Sequence, residues 1–177
     1  LVDDIVKQAM ARWPNVPDCY GWLGLDARGN WYLRDNCAQA AGAFDSGAPG
    51  AKGSLLQHDK LIDFIGRNYG SDGSGQWFFQ NGPQRVFVEL EVAPLIWRVQ
   101  ADLTIKDHIG RNASVTACVV DELGYLYLVT DIGFGLVHTQ DMELAAEAVE
   151  QQLWQPREVN NSQLSTLFVF VKNPKML

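Results

Sequence analysis

Apolar positions are denser in residues 76–99, QWFFQNGPQRVFVELEVAPLIWRV, than anywhere else in the chain. Val86, Val88, Leu90 and Val92 alternate with Phe87, Glu89 and Glu91, a period of two that predicts a strand with its aliphatics in the core and both carboxylates on a wet face. Trp77, Phe78 and Phe79 predict the strand before it. Asn81-Gly82-Pro83 supplies the turn between the two, since Asn and Gly tolerate positive φ and Pro cannot continue a ladder. Leu95, Trp97 and Val99 resume the alternation beyond Pro94, which extends the hairpin to a three-stranded meander.

Helical spacing of Val2, Ile5, Val6, Ala9, Met10 and Trp13 predicts a docked amphipathic helix over 2–13, stopped by Pro14 and followed by a stiff connector to Asp18. Residues 20–25 and 30–34 flank Asp26-Ala27-Arg28-Gly29, a hairpin signal. Ser54 and Gln57 form a capping-box pattern ahead of Leu55, Leu61, Ile62 and Ile65, and the helix they predict ends at Gly70. Short strands are expected over 103–106, 115–121, 125–130 and 134–138. Thr139 or Asp141 then caps a helix with Met142, Ala145, Ala146, Val149 and Leu153 inward, stopped by Pro156. Leu167-Phe168-Val169-Phe170-Val171 reads as a last strand covered on both faces. The expected fold is α+β, a mostly antiparallel sheet of short strands in hairpins and a meander with about three packed helices. Residues 1–177 are expected to form a single globular domain.

Asp-x-x-Gly recurs before an aromatic strand at Asp26, Asp72 and Asp121, spaced by 46 and 49 residues. Such spacing occurs in propellers, but helices fill the gaps here, and a shared turn chemistry explains the recurrence more simply.

Charge narrows the function classes. The net charge is −7, and no Lys or Arg lies between Arg111 and Arg157. Nucleic-acid binding, which draws on cations facing phosphates, is therefore not expected, and neither is an anionic membrane surface. Cys19, Cys37 and Cys118 are odd in number and lack CxxC spacing, which fits reduced thiols, and no apolar run is long enough for a membrane helix. The acidic start Leu1-Val2-Asp3-Asp4 lacks the basic region of a signal peptide, so a cytoplasmic location is expected.

No catalytic signature is present. Residues 45–54, DSGAPGAKGS, lack the GK[ST] ending of a phosphate loop and read as a mobile surface loop. GxSxG, SxxK and GxGxxG are absent, and Cys118 sits where a core thiol is ordinary. Two constellations remain. One is the hairpin end with Gln80, Asn81, Gln84 and Arg85, where amides and a guanidinium beside aromatics can bind a carboxylate or a partner's backbone. The other is His138 with Asp131 and Asp141 at a strand-to-helix junction, a candidate acid/base or metal-dependent site without HxH, HxxxH or HExxH spacing.

The blocks at 13–35, 61–69, 80–91 and 130–142 resemble an uncharacterised family of small cytosolic proteobacterial proteins, a domain of unknown function. The resemblance covers nearly the whole chain and implies a bacterial protein; it carries over no catalytic residue. The expectation is a non-enzymatic binding or protein-interaction module of the bacterial cytosol, with Asn81, Gln84, Arg85, His138 and Asp131 as candidate ligand-binding residues. No cofactor and no metal is expected. The partner is a small molecule or a protein, and a homo-oligomer is possible. The alternative is a small-molecule enzyme built on His138, Asp131 and Asp141.

Overall fold

Four hairpin turns in the chain have one construction, set by an aspartate. The backbone N–H of Asp26, Asp72, Asp107 and Asp121 donates to the carbonyl four residues on, and that residue's N–H returns a bond to the aspartate Oδ1. Glycine stands at the third position after each aspartate with φ between +85° and +102°, the left-handed step that closes such a loop. The Asp-x-x-Gly recurrence is therefore turn chemistry at each site, although that chemistry does not by itself account for the spacing.

The computed structural model describes residues 2–175. They divide into two compact units, one comprising the chain up to Asp26, Asn30–Glu91 and the segment from Phe170, the other comprising Ala27–Gly29 and Val92–Val169. The first unit runs α1 (Asp4–Arg12), β1 (Cys19–Leu25), β2 (Trp31–Leu33), α2 (Asn36–Ala41), β3 (Ser54–Leu55), α3 (Asp59–Arg67), β4 (Tyr69–Ser71), β5 (Trp77–Asn81) and β6 (Gln84–Leu90). The second runs β7 (Leu95–Val99), β8 (Ile105–Lys106), β9 (Asn112–Ala113), β10 (Val115–Val120), β11 (Leu126–Thr130), β12 (Gly133–Val137), α4 (Met142–Glu150), β13 (Pro156–Glu158) and α5 (Leu164–Leu167). The fold is α+β, with short strands in two mixed sheets and, among the described residues, five helices where about three were expected.

The two sheets have the same topology. Their orders are β3-β2-β1-β6-β5-β4 and β9-β8-β7-β12-β11-β10-β13, so in each a meander runs outward from the first strand and the sixth strand returns beside it. That returning pair is parallel, β1 with β6 and β7 with β12. The registers agree as well: Gly70↔Phe78 and Phe78↔Phe87 become Val119↔Tyr127 and Tyr127↔Leu136 on a shift of 49 residues. The 49-residue spacing seen in the sequence between Asp72 and Asp121 thus marks equivalent hairpins of a duplicated unit.

Several sequence expectations are corrected by these pairings. β7 belongs to the second sheet and does not continue a meander from β6; Pro94 lies in the stretch where the chain leaves one sheet for the other. β6 is central, and Glu89 and Phe87 are as buried as the aliphatics, so that face is not wet at Glu89, while Glu91, beyond the strand, is half-buried. Helix α3 starts at Asp59, where the His58 Nδ1 accepts from Leu61 N, and Ser54 is in β3 instead of capping. Asp141 does not cap α4 with its side chain, which is turned to Arg98. Residues 167–171 do not form a strand: α5 ends at Leu167, and Val169 has φ +50°, which breaks extended pairing. The stripe on α1 is only partly used, with Val6 buried while Ile5 and Trp13 are exposed, and Leu153 is exposed as well.

Candidate functional site

Cross-strand registers place Phe78, Gln80, Arg85, Phe87, Glu89, Gly24 and Tyr32 on one face of the first sheet. Part of that face is covered by the glycine-rich segment 42–53. Phe44 is fully buried and lies over Gly24, where a methyl group has no room. Farther along, the face carries an aromatic and arginine patch. Tyr20 stacks on Phe87 with ring centroids 4.8 Å apart and planes 1° from parallel, Phe78 lies 5.6 Å from Phe87, and the Arg85 guanidinium carbon sits 4.6 Å over the Phe78 ring. Phe87 is buried, Tyr20 and Phe78 are half-buried, and Arg85 is exposed. Burial raises the Tyr20 phenol above its ordinary pKa, and the nearby Asp18 and Asp72 raise it further against the pull of Arg85. Asp72 itself is held below the usual carboxylate range: burial pushes upward, but hydrogen bonds from Ser74 and Gln76 and the Arg85 charge outweigh it.

Beside this patch lies a buried ionic cluster. Arg34, 2% exposed, donates through Nε to Ala51 O, through Nη1 to Gly21 O and through Nη2 to Gly42 O and Ala38 O, and it faces Glu89 at 3.8 Å. The segment 42–53 is therefore anchored at both ends by one guanidinium, and Lys52, which a phosphate loop would need, pairs with Glu91. Asn173 Nδ2 reaches both Glu89 Oε2 and Asp45 Oδ1 at 3.4 Å, and Lys172 pairs with Asp45. Burial pushes the Glu89 carboxyl up to about 6 despite Arg34 and Asn173. An acid whose folded pKa lies above its unfolded value binds more protons when folded, so stability falls as pH rises through that window and the loss is complete above it. From a starting value of 4.5, the loss amounts to about 2 kcal/mol. Urea unfolding from pH 4.5 to 7 should show this decline relative to Glu89→Gln, which has no proton to lose. Parallel curves for the two proteins would refute it.

The structure separates the residues singled out from sequence. At the hairpin end, Asn81 pairs with Gln84 in register, Gln80 Nε2 donates to Gly82 O, and Gln84 Nε2 donates to Pro17 O, so both glutamine amides are committed to backbone while Arg85 stays exposed. In the second unit His138 is buried, its backbone N–H donating to Trp97 O and its ring Nδ1 accepting from Gln140 N. Asp141 receives a bidentate pair from Arg98 at 2.7 and 3.0 Å together with Val99 N, and Arg98 holds its carboxyl below the ordinary range. Asp131 accepts from Ser114 N at the far end of the β11–β12 hairpin from His138. Asp131 is thus set apart from the other two, whereas His138 and Asp141 remain neighbours: Asp141 N donates to His138 O, and the His138 charge helps to lower the Asp141 carboxyl even though the two side chains have different hydrogen-bond partners. Among the described residues no group of three or more His, Cys, Asp or Glu is placed to hold a metal ion. Cys118 is buried, which pushes its thiol up to about 11, and Cys19 and Cys37 are also free thiols.

Two open clefts, of about 400 and 500 Å³, flank β10 and β13, the first lined by residues of 115–119 and 152–157, the second including Asp121, Glu122 and Glu158. Two of the acids of the second cleft are engaged: Asp121 accepts from Tyr127 Oη and Asn161 Nδ2, and Glu122 from Asn161 N. Neither cleft gathers titratable groups into an enclosed site.

A family model described as "Protein of unknown function (DUF2946)" matches residues 2–175. The chain belongs to the DUF2944 family. No curated protein matches the sequence. The crystal structure of a DUF1285 family protein from Silicibacter pomeroyi DSS-3, at 2.50 Å resolution, is similar in fold, with a TM-score of 0.50 and 12% identity over 83% of this chain and 85% of that one. No helix among the described residues of this DUF2944 protein is long and apolar enough to cross a membrane.

Sequence reasoning found Arg85 but missed Tyr20 as its neighbour. The chain irregularity between Cys19 and Leu23, with Gly21 at φ +87°, and the parallel pairing of β1 with β6 bring Tyr20 onto Phe87, and neither leaves a periodic trace. Arg34 was also missed; its position directly after a strand and ahead of a glycine-rich segment was the available signal.

Proposed function

We propose that this protein is a binding or protein-interaction module of the bacterial cytosol, acting as a single domain over residues 1–177, with the aromatic and arginine patch around Arg85 as its binding surface. The observation that carries the reading is an exposed guanidinium set over Phe78 beside the Tyr20–Phe87 stack. Tyr and Arg, with Trp, are the side chains that most often dominate binding energy at interfaces: Tyr offers a large rigid ring, and Arg a planar fork that both stacks on rings and donates hydrogen bonds. Free thiols and the Silicibacter source of the similar structure support the cellular setting. The net charge of −7 supports a partner other than nucleic acid or an anionic membrane, and a second copy of the chain is among the protein partners this surface can take. Enzymatic use of His138 with Asp131 and Asp141 finds less support, since Asp131 lies at the other end of the hairpin and the hydrogen bonds of His138 and Asp141 go to Gln140 N and Arg98.

Arg85→Ala should lower the melting temperature by no more than about 4 °C, because an exposed cation set over a ring contributes only about 0.5–1 kcal/mol. A thermal-shift screen against metabolites and nucleotides, run in parallel on wild type, Arg85→Ala and His138→Ala, separates the readings by mass action. Stabilising ligands lost with Arg85→Ala support this surface. Ligands lost only with His138→Ala would overturn the proposal in favour of an enzyme site.

A further inference from the structure

The duplicated topology supplies a comparison for the patch. On the shift of 49 residues, Gln80↔Arg85 becomes Val129↔Phe134, and Phe78 becomes Tyr127. Arg85 over Phe78 in the first unit therefore holds the position that Phe134 over Tyr127 holds in the second, where the two rings stack at 5.5 Å and 9°. In the second unit a third planar group completes the pile: Phe168, directly after α5, stacks on Phe134 at 4.4 Å and 8°. Phe134 is buried there, whereas Arg85 is exposed.

We infer that the outer face of the Arg85 guanidinium receives an aromatic side chain from a protein partner, presented on a short segment as Phe168 is presented at the end of α5. The inference rests on the binding reading of the patch given above. A guanidinium is planar and weakly hydrated on its faces, so a ring on each side desolvates it at low cost and leaves its N–H edges in water. A carboxylate is the other natural partner of an arginine, but Asp18 and Asp72 already act on Tyr20 beside Arg85, and their field opposes a further anion. A neutral ring meets no such opposition.

The test is selection of a random dodecapeptide library on the immobilised full chain, with recovered peptides measured as synthetic peptides against wild type, Arg85→Ala and Arg85→Lys. Peptides that depend on the patch should carry an aromatic residue, and its replacement by leucine should weaken binding at least tenfold. Arg85→Lys, which keeps the charge and loses the plane, should weaken it by a similar factor. Arg85-dependent peptides indifferent to the aromatic-to-leucine change, or dependent on an acidic residue, would overturn this inference and leave the binding surface standing. Recovery of no Arg85-dependent peptide would overturn both.

Discussion

Replacing Arg34 by leucine should lower the unfolding free energy by about 3–5 kcal/mol, the range observed when one member of a buried ion pair is removed. Its guanidinium serves four backbone carbonyls, from Gly21, Ala38, Gly42 and Ala51, in a position only 2% exposed. Leucine leaves those carbonyls without their donors and Glu89 without its counter-charge in the same step. Arg34→Lys should recover little, because one ammonium cannot reach carbonyls arranged around a planar fork. For a chain of this size the loss corresponds to a fall in melting temperature of roughly 10 °C. Urea denaturation reads it directly, and a change below about 1 kcal/mol would mean that water, not Arg34, satisfies the segment 42–53.

Gly135→Ala is the second large effect, at about 3 kcal/mol or more. A methyl group at Gly135 would lie 2.5 Å from Leu95 O and 2.6 Å from Trp97 Nε1. Trp97 is fully buried and donates from that nitrogen to Leu128 O at 3.1 Å, so it cannot withdraw without losing a buried hydrogen bond. The equivalent position of the first unit is Val86, which faces Cys19 across the parallel pair, so the glycine is demanded by the close approach of the Leu95 backbone and Trp97 in this unit and not by the shared topology. Gly70→Ala is the matched control: a methyl there meets nothing within 4 Å and should change stability by less than about 0.5 kcal/mol. Equal effects of the two substitutions in thermal or urea unfolding would sink the steric argument.

Local signals were legible in the sequence, and those set by distant pairing were not. Asp26-x-x-Gly29 and Asn81-Gly82-Pro83 announced their hairpins because turn chemistry is written in adjacent residues. The alternation of β6 was visible, but whether Glu89 faced water depended on residues 42–53 and 172–173, far away in the chain. Phe168 and Phe170 looked like strand residues since both are large and apolar; their rings do find cover, but positive φ at Val169 rules out the extended backbone that such a pattern implies. In the candidate site Arg85 was visible as a cation on an aromatic hairpin. Its neighbours Tyr20 and Phe87 required the parallel pairing of β1 with β6, which sequence periodicity does not encode.

The first unit is also discontinuous along the chain, and this sets a timetable for its assembly during synthesis. Leu90 N bonds to Lys172 O and Val171 N to Gly75 O, so its sheet receives its last partners from residues made some 80 positions after β6. The second unit, whose strands and helices lie between Val92 and Val169, has every one of them available earlier. At translation rates of about 5–20 residues per second, the nascent chain carries the first sheet for several seconds with this segment unmade. During that interval Leu90 N and Glu89 wait for hydrogen-bond partners, Lys172 O and Asn173, that are not yet synthesised.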